Sequence, residues 1–105
     1  MATTFDIQIF TNRMIVRNVG TGESIVRVAT RPFSSRRLLI GDLDAAEALL
    51  GDIIKDMEGW KRFLRSPAKA IFRPMELSEG GLCPVEAQVL ADLGVRMGFN
   101  SMDIV

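Results

Sequence analysis

The chain has 105 residues, enough for one hydrophobic core and too few for a second. Apolar residues make up 48% and charged residues 25%, which excludes a disordered chain, and no apolar run approaches the roughly 18 to 20 residues of a membrane-spanning helix. Thirteen basic residues balance 13 acidic ones, so net charge selects no polyanionic partner.

The charges are nevertheless unevenly placed. Residues 1–41 carry six Arg against Asp6 and Glu23, and residues 42–58 carry six acids against Lys55. Residues 59–75 carry five basic residues and no acid, and residues 76–105 carry five acids against Arg96. Such alternation predicts neighbouring surfaces of opposite sign, with a basic binding stripe as the competing reading. Cys83 is the single cysteine, so no intrachain disulfide forms. There is no His, which removes Ser-His-Asp and Cys-His catalysis from this chain and the commonest metal ligand with them. No apolar signal core opens the sequence, and a cytoplasmic address is expected.

In chain order, Phe5, Ile7 and Ile9 alternate with Asp6 and Gln8, the period of a half-buried strand. Thr11-Asn12-Arg13 reads as a tight turn into Met14-Ile15-Val16, and after Gly20-Thr21-Gly22 a third strand is predicted over Ser24 to Thr30. Leu38-Leu39-Ile40 leads into a helix from about Asp44 to Met57. There Asp44 and Glu47 have capping-box spacing, and Ala46, Leu49, Leu50, Ile53, Ile54 and Met57 fall on one face. Trp60, Phe63 and Leu64 suggest a further turn, stopped at Ser66-Pro67. Lys69 to Phe72 reads as a fourth strand. Pro84 suits a first helical position ahead of the stripe Val85, Val89, Leu90, Leu93 and Met97, and Gly98 suits a stop. Met102 to Val105 reads as a final strand, and Met75, Met97 and Met102 as core fillers.

The order β-β-β-α-β-α-β describes an α/β domain covering residues 1–105. A three-strand antiparallel meander followed by βαβαβ gives a mixed five-stranded sheet of order 3-2-1-4-5, the connectivity of the ribonuclease H-like core.

Arg31-Pro32, followed by Ile40-Gly41-Asp42-Leu43-Asp44-Ala45-Ala46-Glu47, resembles a segment of rod shape-determining protein MreB, the bacterial actin homologue: Arg-Pro-Leu, a short spacer, Ile-Ala-Asp-Phe and a Glu-bearing helix. Phe63-Leu64-Arg65, Gly81-Leu82-Cys83-Pro84-Val85-Glu86 and Met97-Gly98 extend the similarity toward the last strand. The resemblance implies the first large subdomain of an actin-like ATPase, without the second lobe that completes the ATP cleft. It also implies a degenerate phosphate loop. Where the family has Asp-Leu-Gly-Thr, this chain has Gln8-Ile9-Phe10-Thr11, losing the acid that organises the metal and placing an aromatic ring where phosphate passes. Glu86 falls on the position of the glutamate that orients the attacking water.

Each candidate also has a plain structural role. Glu86 in a first helical turn complements the helix dipole, and Asp42 and Asp44 serve as N-terminal caps rather than as an acid and base pair. Trp60-Lys61-Arg62-Phe63-Leu64-Arg65 interleaves aromatic and basic residues, making Trp60, Arg62, Phe63 and Arg65 candidates for an interaction surface, with membrane contact the weaker use. Cys83 at a helix start has no second ligand.

The expectation is therefore a non-catalytic, MreB-like interaction module without cofactor or metal. It either self-associates as a homodimer or docks on another protein such as an actin-like filament, with a link to cell shape. The alternative is a nucleotide-binding ATPase assembled as a homodimer, with Glu86 orienting water. A nucleic-acid-associated ribonuclease H-like protein is disfavoured because Asp6 is the only acid on the first strand.

Overall fold

A computed structural model of the chain describes residues 3–34, 40–58, 68–75 and 84–105. Its elements run β1 (Thr3–Phe10), β2 (Arg13–Asn18), β3 (Ser24–Val28), α1 (Leu43–Glu58), β4 (Ala68–Pro74), α2 (Pro84–Met97) and β5 (Ser101–Ile104). The period-two pattern of β1 decides its faces. Phe5, Ile7 and Ile9 are buried, while Asp6, Gln8 and Phe10 lie half-buried on the other side.

The strands form one sheet of order β3-β2-β1-β4-β5. β1 pairs antiparallel with β2 and parallel with β4, and β5 extends the parallel part. The meander and the order 3-2-1-4-5 are as the sequence predicts. The strands differ in length: β2 and β4 run beyond their apolar centres because the ladder continues through Arg13, Arg17, Asn18 and Arg73, whose side chains leave the core.

Both helices cover one face of the sheet. Ala46, Leu50 and Ile53 of α1 and Leu90 and Leu93 of α2 share a single buried cluster with Phe5, Ile7, Ile9, Val16 and Phe72. Phe99 packs edge-on against Phe5 and Phe72 at centroid distances of 6.1 and 6.4 Å. α2 ends in a Schellman motif: the Phe99 N–H donates to Gly94 O, the Gly98 N–H donates to Val95 O, and Gly98 takes φ 83°. Met97 and Met102 pack against the core, but Met75 is 48% exposed because β4 has already ended at Pro74.

The first helix begins at Leu43, one residue before the predicted start at Asp44. Asp42, not Asp44, is the cap, since the Ala45 N–H donates to Asp42 Oδ1 at 3.0 Å. Two contacts hold Asp42 there: its own N–H donates to Phe33 O at 2.9 Å, and Arg31 Nη2 donates to both carboxylate oxygens at 3.2 and 3.1 Å. Asp44 instead receives Arg96 Nη1 from the last turn of α2 at 2.6 Å. The ion pairs Arg27–Asp56 and Lys69–Asp103 join charge blocks of opposite sign, whereas Asp44–Arg96 joins two acidic blocks through the one base of the second. Being largely exposed, these pairs guide the fit of the surfaces more than they stabilise the fold.

Candidate functional site

The loop that the resemblance equates with a phosphate-binding turn is the β1–β2 hairpin. Its register, Phe10 opposite Arg13, leaves Thr11 and Asn12 as the two turn residues. Asn12 has φ 54°, a left-handed conformation that Asn tolerates better than most side chains. Its carboxamide is then engaged by the segment ahead of α1. Asn12 Oδ1 accepts the Phe33 and Ser34 N–H groups at 2.9 and 2.8 Å, and the Asn12 N–H donates to Ser34 Oγ at 3.0 Å. Phe33, wholly buried, passes the constraint on, because its carbonyl accepts the Gly41 and Asp42 N–H groups at 2.7 and 2.9 Å. The hairpin tip, residues 33–34 and the start of α1 are thus one hydrogen-bonded unit.

Phe10 closes β1 half-buried, and the Arg13 guanidinium lies over its ring at 4.3 Å from the centroid. Gln8 sits between Ile15 of β2 and Arg73 of β4 on the face away from the helices. Beside it, Arg73 Nε donates to both oxygens of Asp6 at 3.0 and 2.9 Å, tying β1 to β4. Thr11 is exposed at the tip.

Glu86 lies in the first turn of α2 and is only 9% exposed. Among the described residues, no hydrogen bond or ion pair engages its carboxylate. Asp42 is held below the ordinary carboxylate range, first by the Ala45 N–H and then by its hydrogen bond to Arg31. Among the described residues no three His, Cys, Asp or Glu side chains converge on a metal position, and no helix is long and apolar enough to cross a membrane.

The hairpin therefore gathers Gln8, Phe10 and Thr11 on β1 and its turn. Trp60, Arg62, Phe63 and Arg65, like Cys83, lie outside the described residues. Sequence reasoning read Asn12 only as a turn residue and missed Ser34. The one available signal was an Asn in a two-residue turn, because its bonding partners stand 21 and 22 residues away.

No family model matches the sequence. Among solved structures, MreB5 of Spiroplasma citri bound to ADP is similar to the whole chain with a TM-score of 0.67 and 14% identity. The same protein bound to AMPPNP gives 0.64 over 99% of this chain at 14% identity. In each case the chain spans 38% of MreB5, so the likeness is to part of an actin-like protein and concerns fold alone. A protein of Escherichia coli (strain K12), "Uncharacterized protein YjaA", is 33% identical over 93 residues, which cover 83% of this chain and 70% of YjaA. With a third of the aligned residues identical over most of both proteins, the chain belongs to the family of YjaA.

Proposed function

We propose that this chain is a non-catalytic, actin-like interaction module of ribonuclease H-like topology, acting in the cytoplasm by self-association or by docking on another protein. The observation that carries the reading is the bonding of the first hairpin. In a phosphate-binding turn the backbone and short side chains are left for the ligand. Here the Asn12 carboxamide oxygen is taken by Phe33 and Ser34, and Arg13 rests on Phe10. Gln8 supplies no charge for a metal. The sheet face opposite the two helices, where Val26 and Val28 are 60% and 64% exposed, gives association an apolar surface to bury. A link to cell shape or to an actin-like filament follows from the MreB-like fold as part of the proposal.

One observation favours the second reading, an ATPase assembled as a homodimer. The Glu86 carboxylate is buried and, among the described residues, uncommitted, as a group that orients water would be. Light scattering at two protein concentrations, with and without Mg-ATP, separates the two. The module reading expects a mass above the monomer that ignores nucleotide. A nucleotide-dependent mass, with phosphate release that Glu86→Ala abolishes, selects the ATPase, and a monomer under all conditions removes self-association and leaves docking on another protein.

A further inference from the structure

β3 is an edge strand, and the direction of its backbone groups follows from its pairing with β2. The Asn18 N–H donates to Glu23 O and the Ala29 N–H donates to Asn12 O, both at 2.8 Å. Residues 23 and 29 therefore turn their polar groups toward β2, and by antiparallel alternation so do Ile25 and Arg27. Ser24, Val26 and Val28 turn theirs outward. Among the described residues nothing pairs with them. The same three side chains lie on the face that neither helix covers, where all are exposed.

Exposed edges are ordinarily blunted by Lys, Pro or a bulge, because an unpaired row of N–H and C=O groups templates another strand. The outward residues of β3 include none of these devices. The strand carries one charge, Arg27, which lies on the helix side and is held by Asp56 at 2.7 Å.

We propose that two copies of this chain join edge to edge through β3, antiparallel about Val26, so that the two sheets continue as one. The strand is self-complementary in that register. Val26 meets Val26 of the second copy and Ser24 meets Val28, each directly opposed pair exchanging two hydrogen bonds. On the helix side Ile25 meets Arg27, and no like charges are opposed. A second copy thus satisfies the backbone row, covers the exposed valines and closes with two-fold symmetry. The proposal rests on the self-association part of the module reading and names its surface.

The test combines solution mass with amide hydrogen exchange of the full chain at increasing concentration. The expected result is twice the 11.6 kDa chain mass, with the Ser24, Val26 and Val28 amides protected as dimer forms. Val26→Pro removes an outward N–H that makes no bond to β2, so it should return the mass to that of a monomer. Val28→Lys changes only an exposed side chain and should do the same if Val26→Pro does not fold. A dimer that persists in Val28→Lys with those amides unprotected overturns the β3 interface while self-association stands. A wild-type monomer at every concentration overturns both, and leaves docking on another protein to be judged separately.

Discussion

Asn12 and Ser34 bind each other twice, the Ser34 N–H donating to Asn12 Oδ1 and the Asn12 N–H donating to Ser34 Oγ. Replacing Asn12 removes the two bonds its side chain accepts, each contributing about 1 kcal/mol. Asn12→Gly keeps the left-handed backbone and should cost about 1–2 kcal/mol. Asn12→Ala adds the penalty for φ 54° and should cost about 1 kcal/mol more. Urea unfolding measures both, and equal losses would show that the backbone conformation carries no weight.

Asp42 predicts an acid limb in stability. Its carboxylate is held below its ordinary value in the folded chain, so it favours folding fully above that value. The contribution fades as pH falls through the lowered folded-state value. Melting from pH 7 downward should therefore show a shallower acid decline in Asp42→Asn than in the wild type. Asn still caps the helix, so Asp42→Ala should melt lower than Asp42→Asn at neutral pH. Superimposable wild-type and Asn curves would remove the charge from the account.

Gly94 sits where a Cβ would overlap the Met102 thioether. Gly94→Ala gains about 1 kcal/mol of helix propensity and loses about 1–3 kcal/mol to overpacking, so a small net destabilisation is expected. In a Met102→Ala background the same change should become neutral or stabilising. A double-mutant cycle reads this coupling directly, and additive effects would mean that Met102 swings clear without cost.

The Asp6–Arg73 contact joins strands whose residues are 67 apart in sequence, with Asp6 more shielded than most of the charged surface. A coupling of about 0.5–1 kcal/mol is expected from a cycle of Asp6→Asn and Arg73→Met, shrinking in high salt. A coupling unchanged between low and high ionic strength would assign the effect to packing of the arginine stem.

Period-two burial made β1 legible because Phe5, Ile7 and Ile9 alternate without interruption. The sheet order followed because connection handedness leaves few arrangements for this series of elements. Asp42 and Asp44 both read as caps, and only Asp42 serves as one. What separates them is Arg31 and the Phe33 carbonyl, neither of which local spacing can see. The Asn12–Ser34 pair was hidden for the same reason. Glu86 has the sequence look of a surface dipole partner, and its burial depends on what the fold lays over the first turn of α2.

β1 occupies the middle of the sheet, yet its two neighbours reach it at very different times. β2 follows at once through the hairpin, whereas Thr3 meets Ala68 and Ile9 meets Pro74 across most of the sequence. During synthesis at about 5–20 residues per second, the meander and α1 leave the ribosome seconds before β4 does. The open edge of the central strand must wait through that interval, and the late parallel pairing sets the contact order that slows folding. The middle of this sheet is the last part of the β1–β4 layer to be zipped, so a change that delays β4 leaves the central strand, with Phe5, Ile7 and Ile9 on one face, open longest.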